Sequence, residues 1–195
     1  REGAMGEIRF AAAADAAALL GIYGQYIDTP ITFECALPSE EVFRRRVAEY
    51  GAACPYLVWE EDGRILGYAY AHRLGERAAY QWSAELSIYL GRDSTGRGLG
   101  RRLYGALMEL LRLQGVRTVY GCVTLPNAGS EGLHAAMGFR LTGTWHRAGF
   151  KCGAWRDVGW FEKTIAPYDP SPAPVRPIGE VPAAAAAEIL ERYSR

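Results

Sequence analysis

"GRDSTGRGLGRRLY", residues 91–104, is the stretch whose reading decides the fold. It interleaves glycines with Arg92, Arg97, Arg101 and Arg102, just where Leu99, Leu103, Leu107, Leu110 and Leu111 begin to recur at helical spacing, up to a closing Gly115. A helix N-terminus carries about half a positive charge and favours Asp or Glu, so each like charge there costs about 0.3–1 kcal/mol. Four arginines at such an end imply an anion. Backbone N–H groups of a glycine-rich turn feeding a helix cradle phosphate, and arginines add charge-assisted bonds to its oxygens. A dinucleotide fingerprint fails, because the GxGxxG frame puts Arg101 or Leu103 in its last slot, and a P-loop fails for want of Gly-Lys-Ser/Thr. What remains is a pyrophosphate site on the amides of residues 96–101, set against a simple glycine-rich turn with solvated arginines.

Outward from this loop the chain alternates strands and helices. "YQWSAELSIYL", residues 80–90, puts Trp82, Ala84, Leu86, Ile88 and Leu90 on one face and Gln81, Ser83, Glu85, Ser87 and Tyr89 on the other, which predicts a strand with one polar stripe. Upstream, residues 7–11 read as a short strand, an Ala-rich stretch from about Asp15 to Ile27 as a helix, and Pro38–Ser39 as the start of a second helix ending near Gly51. "YLVWEEDGRILGYAYAH" reads as a hairpin about Asp-Gly. Downstream come a fifth strand, "VRTVYGCVT", a short helix, "SEGLHAAM", and two further strands. This order predicts a single α/β domain with a mixed central sheet and helices on both faces. Residues 167–182 hold six of the ten prolines and read as an extended linker, and residues 183–195 as a short C-terminal helix, marginal unless docked, or a disordered tail.

Composition narrows the function classes. The 195 residues, 49% of them apolar, suit one globular domain with a substantial core. Lys plus Arg balance Asp plus Glu at 22 each, which argues against nucleic acid or a membrane surface as partner and makes the basic cluster local. Cys35, Cys54, Cys122 and Cys152 show no metal-ligand spacing, so no metal is expected, and they read as free thiols in a reducing cytoplasm. No apolar run approaches a membrane span or a signal-peptide core. "REGA" before Met5 reads as an expression remnant.

The loop, with the Asn-and-helix segment "LPNAGSEGLHAAMGF" behind it, resembles the coenzyme A site of the GNAT N-acetyltransferases. With "YQWSAELSIYL", "GLGRRLY", "QGVRTVYGCVTLPN" and the dense run "RAGFKCGAWRDVGWF", the chain is more closely similar to phosphinothricin (glufosinate) N-acetyltransferases over about residues 7–165, giving an acetyltransferase domain at 7–166. The resemblance implies a sheet split between its fourth and fifth strands. There the pantetheine arm of acetyl-CoA pairs with Ile88, Tyr89 and Leu90, the pyrophosphate sits on Gly96, Arg97, Gly98, Leu99, Gly100 and Arg101, and Asn127 and Ser130 complete the cofactor site. One departure is Thr95, where the superfamily loop usually opens on Gln or Arg.

Amine acetylation needs a neutral amine, a polarised thioester and a proton for the leaving thiolate. Glu85, on the polar stripe, is placed to take the ammonium proton, and the resemblance puts the family's general base there. His134, seven residues after Asn127, falls where the superfamily carries a tyrosine acid and where phosphinothricin acetyltransferases resemble this chain in having histidine; Tyr104 and Tyr89 read as packing residues. Phe33, Arg77 and Tyr80 match the family's substrate contacts, with Arg77 suited to a carboxylate. Herbicide-acetylating members carry a lysine two residues before that arginine, where this chain has Gly75, which favours methionine sulfoximine or sulfone over glufosinate. Trp82, Trp145, Trp155 and Trp160 read as core or interface, and the resemblance implies a homodimer. The expected activity is direct acetyl transfer from acetyl-CoA to the α-amine of a small amino-acid-like acceptor. The rivals are an acetyltransferase for another amine or a peptide N-terminus, and a non-catalytic CoA-binding module.

Overall fold

Alternation along residues 83–90 makes that strand the pivot of the sheet. In the computed structural model, which describes residues 6–195, seven strands form one mixed sheet: β1 (Gly6–Phe10), β2 (Tyr56–Glu61), β3 (Arg64–Arg73), β4 (Ser83–Leu90), β5 (Thr118–Leu125), β6 (Arg140–Lys151) and β7 (Ala154–Thr164). Their spatial order is β1-β2-β3-β4-β5-β7-β6, with β4 and β5 parallel and every other pair antiparallel. A parallel pair needs a crossover, and α3 (Leu99–Gln114) supplies it. The helix closes on Gly115, whose φ of 104° lies in the left-handed region open to glycine.

The period of two sorts side chains into two cores. Leu57, Ala69, Leu86 and Val119 face α3 and meet its Leu103, Leu107 and Leu110, all nearly or fully buried, and each such leucine contributes about 1.5–3 kcal/mol. On the other face Tyr56, Val58 and Tyr68 meet Leu19 and Ile22 of α1 (Ala16–Gly24) and Phe43 and Val47 of α2 (Glu40–Ala53). Helix α1 stops at Gly24, short of the expected Ile27, and the chain runs on in turns to Ser39, whose side chain caps α2 by accepting the Val42 N–H at 3.2 Å. Trp82 lies just outside β4, its indole N–H donating to the Ala173 carbonyl at 2.9 Å. Trp145 and Trp155 stand on the surface of β6 and β7 rather than in the core.

Residues 166–182 carry no regular secondary structure beyond a turn at Ile178–Glu180, yet they are pinned along the end of the sheet and α3. Gln114 donates to the Arg176 carbonyl (2.9 Å), Arg176 to the Leu113 carbonyl (2.8 Å), and the Val175 N–H to Gln81 (3.0 Å). The strap delivers α5 (Ala183–Ser194) onto β1 and α3. There Tyr193 bonds Glu109 (2.8 Å) and lies so close to Gly105 that a Cβ at 105 would come within 2.2 Å of its ring, while the Ser194 hydroxyl accepts the Ile8 N–H (2.8 Å). Tyr193→Ala should therefore lower stability by about 1–3 kcal/mol, read as a fall in urea midpoint with unchanged slope.

Candidate active site

After Leu86 and Gly121 the two parallel strands part. β4 keeps its pairing with β3 to Leu90 and β5 keeps its pairing with β7 to Leu125, so what each loses is the other, and the inner edges of residues 87–90 and 122–125 flank a wedge. Buried backbone groups left unpaired cost about 1–3 kcal/mol each, so such a wedge suits an occupant that carries amides. A cleft of about 410 Å³ opens along it, walled by β4, β5, the 95–101 loop and α4 (Ala128–Ala136). The Tyr26 hydroxyl closes one end by donating to the Leu90 carbonyl.

Gly96 and Gly98 adopt φ of 75° and 80°, and a Cβ at either would enter open space, so these positions demand glycine for backbone conformation. Gly98 caps α3 and aims its first-turn amides outward. Three of the four arginines serve the scaffold. Arg92 bonds the Gln25 carbonyl (2.8 Å) over the ring of Tyr26, Arg97 pairs with Glu61 (2.7 Å), and Arg102 stacks on Trp59 and reaches the Ser194 carbonyl (3.2 Å). Arg101 alone of the four lines the cleft. So do Ile88, Tyr89, Leu90, Gly96, Gly98, Leu99, Gly100, Asn127 and Ser130; Arg97 is turned away, because Glu61 draws it to the opposite side of the loop. Amides at a helix end, Arg101 and two free strand edges together fit an acyl-CoA.

Asn127 caps α4 by accepting the Ser130 N–H (3.1 Å), and Glu131 returns by accepting the Asn127 N–H (2.8 Å), a reciprocal box that sets where the helix starts. One turn on, His134 is buried at the cleft floor, where the absence of a Cβ on Gly121 makes room for its Nε2. Its Nδ1–H donates to the Ser130 carbonyl (2.7 Å), leaving the Nε2 lone pair facing the Tyr104 hydroxyl at 3.5 Å. Burial pulls the imidazole below its usual pKa, against the Ser130 bond, so the ring is neutral at pH 7. Tyr104, read from sequence as packing, places its buried hydroxyl on the cleft wall, and burial raises its pKa.

Glu85 stands on the other face of β4, outside the cleft walls, with Tyr120 of β5 and His72 of β3 as its register partners. Burial raises its carboxyl above the usual range, opposed by His72, whose Nε2 lies 3.6 Å from Oε2. Cys122 lines the cleft nearby and is exposed, with the Glu85 charge disfavouring its thiolate.

Phe33, Arg77 and Tyr80 do not line the cleft, and all three are exposed. Arg77 and Tyr80 sit in the loop that leads into β4, with the Tyr80 ring against Gly75, while Phe33 packs on Gly149 of β6. The sequence reading missed Lys151. Only 8% exposed, it donates to the carbonyls of Ile27 (2.7 Å), Thr32 (2.7 Å) and Glu34 (2.6 Å), pinning the α1–α2 loop to the β6–β7 hairpin. Glu34, held below the usual carboxylate range by Arg46 in a two-pronged ion pair (2.9 and 2.5 Å), anchors the same loop to α2. The one signal was the dense run around "GFKCG", but an isolated lysine in a strand reads as solvent-facing. Among the described residues no cluster of three or more His, Cys, Asp or Glu is placed to hold a metal, and no helix is long and apolar enough to cross a membrane.

A split sheet with a phosphate-ready helix end in its wedge defines an acyl-CoA-dependent transferase, and the chain belongs to the GNAT acetyltransferases, whose acetyltransferase (GNAT) domain model matches residues 8–160. Within that family it is similar to the phosphinothricin N-acetyltransferase of Streptomyces viridochromogenes (35% identity, over 90% of this chain and 96% of the relative) and to the L-methionine sulfoximine/L-methionine sulfone acetyltransferase of Pseudomonas aeruginosa (30%, over 85% and 98%). Its fold matches a phosphinothricin acetyltransferase from Sinorhizobium meliloti solved with acetyl-CoA, at a TM-score of 0.80 and 29% identity over 89% of this chain and 98% of that one. The protein is an N-acetyltransferase with acetyl-CoA as cosubstrate.

Two outcomes test the site's construction. Gly98→Asp, which sets a carboxylate against the cradle, should raise the acetyl-CoA KM at least about tenfold and leave the acceptor KM near wild type; calorimetric titration of acetyl-CoA reads the same loss directly. Lys151→Met, which leaves three carbonyls without their donor, should cost about 3 kcal/mol or more in denaturant unfolding and raise the acceptor KM selectively.

Proposed function

We propose that the protein acetylates the α-amine of a small amino-acid-like acceptor of the phosphinothricin, methionine sulfoximine or methionine sulfone type, by direct transfer. The observation that carries this reading is the wedge itself: a phosphate-ready helix end opens on one side of β4, and a half-buried carboxylate, Glu85, stands on the other. Bound acetyl-CoA supplies an activated acetyl thioester. The amides of residues 96–101 and Arg101 hold its pyrophosphate, and Ile88, Tyr89 and Leu90 offer the backbone edge for its arm. Glu85, its carboxyl raised by burial, takes the proton that the acceptor's ammonium must lose before its nitrogen is a nucleophile. The leaving sulfur receives a proton from the Tyr104 hydroxyl at the cleft floor, beside which His134 presents its Nε2 lone pair at 3.5 Å.

Arg77 anchors the acceptor's carboxylate, with Tyr80 and Phe33 as the flanking walls. Gly75 provides no cation for a phosphinyl oxygen, and a side chain there would begin 2.9 Å from the Tyr80 ring, so a lysine at 75 would displace Tyr80 as well as add charge. These acceptor-side residues are open to solvent in one chain, and Trp145, Phe150 and Trp155 expose a large apolar surface on the neighbouring β6–β7 hairpin. A second copy of the chain is the occupant we assign to that surface, in the cytoplasm that four free thiols suit.

Glu85→Gln should lower kcat about 100- to 10,000-fold at pH 7. Because a general base works deprotonated, the wild-type acid limb of kcat/KM should lie above the ordinary carboxylate range, and the variant's rate should climb with pH as the free amine forms in solution. Across an acceptor panel, methionine sulfone or sulfoximine should exceed phosphinothricin by about ten- to a hundredfold in kcat/KM, the worth of one charge-assisted contact. A preference for phosphinothricin would overturn the Gly75 argument.

A further inference from the structure

Glu85 has to release, after each turnover, the proton it has taken, from a strand position packed against tyrosines. The antiparallel register of β3 and β4 sets His72 directly across from it on the same face, with Nε2 at 3.6 Å from Oε2. The ring is held in that orientation from two sides. Its Nδ1–H donates to the Arg73 carbonyl at 2.9 Å, which leaves Nε2 as the lone-pair nitrogen facing the carboxylate, and Tyr50 of α2 stacks on it at 5.3 Å between centroids. Both side chains are half-buried, with 28% of His72 and 21% of Glu85 exposed, so the imidazole is the part of the pair nearer to water.

We propose that His72 is the positioning residue of the candidate base: it orients the Glu85 carboxylate and carries the proton from it to solvent. This rests on the reading of Glu85 as general base. The proton balance is complete within the chain. An N–H bond of the ammonium breaks as an O–H bond forms on Glu85; that O–H breaks as an N–H bond forms on His72 Nε2, giving imidazolium; and the imidazolium releases a proton to water, restoring neutral His72 and ionised Glu85. A separation of 3.6 Å is longer than a hydrogen bond, and contacts of this kind tighten when substrate binds. The other titratable groups that face the pair are Tyr70 from β3, Tyr50 from α2, and Tyr120 and Cys122 from β5, with Glu162 of β7 behind Tyr120 and tied to Arg140 (2.9 Å).

The test compares wild type with His72→Gln, His72→Phe and Glu85→Gln in full pH profiles of kcat and kcat/KM, with acetyl-CoA affinity by calorimetry as the control for folding. His72→Phe keeps the stack on Tyr50 but cannot carry a proton. The expected result is a kcat about tenfold or more below wild type at pH 7 for both His72 variants, an acid limb of kcat/KM moved to higher pH because His72 no longer opposes the burial shift of Glu85, and a rate that rises with added imidazole buffer, which wild type does not need. If Glu85→Gln is inactive while His72→Phe matches wild type in kcat, pH profile and buffer response, His72 is only packing and this proposal is overturned with the base reading intact. If Glu85→Gln keeps wild-type activity, the base reading falls and the relay falls with it.

Discussion

The parting of β4 from β5 after Leu86 and Gly121 is the constraint on which the rest of the molecule depends. Parallel strands joined by a crossover helix would ordinarily pair along their length. Here four residue pairs hold them together, and then each strand follows its outer neighbour, β3 or β7. The broken ladder exposes backbone polar groups that water or a ligand must satisfy. Gly121 adds a local reason for the opening: with no side chain it lets His134 of α4 press to within contact of β5, so a helix end occupies the side of the sheet from which the strands diverge.

Each face of β4 then acquires a different electrostatic character. Toward α3 the helix end, with Gly96 and Gly98 in left-handed conformations, is positive and open. Toward α1 and α2 lies a layer of tyrosines, Tyr50, Tyr56, Tyr68, Tyr70 and Tyr89, into which Glu85 and His72 are set. A carboxylate among aromatic rings loses hydration, which lifts its proton affinity into a useful range for a base. The same layer leaves the pair only partly open to water, with 28% of His72 and 21% of Glu85 exposed.

Rigidity around this division comes from contacts distant in sequence. Lys151 gathers three carbonyls of the α1–α2 loop, Arg46 grips Glu34 of that loop from α2, and α5 braces β1 and the first turn of α3 through Ser194 and the middle of α3 through Tyr193. The arginines of the loop itself join this framework: Arg92, Arg97 and Arg102 tie the helix start to α1, β2 and α5. The anion site is therefore built chiefly from backbone amides and Arg101, with the remaining guanidinium groups fixing where those amides point.

What was legible in the sequence was local. The period of two along residues 83–90, the leucine spacing of α3 and the glycines around it set the strand, the helix and a turn that only glycine tolerates, because those features depend on neighbours a few residues apart. Ten of the eleven residues picked for the cofactor site line the cleft for the same reason, since they lie on one strand end, one loop and one helix start. Tertiary structure alone decided which arginine faces the cleft, since Glu61, Gln25 and Ser194 draw the others away from places in the chain that no spacing rule connects. It also decided that Lys151 is buried, that Tyr104 meets His134, and that His72 stands opposite Glu85, for a sequence records what a side chain is while the register of strands and the closure of loops determine what it touches.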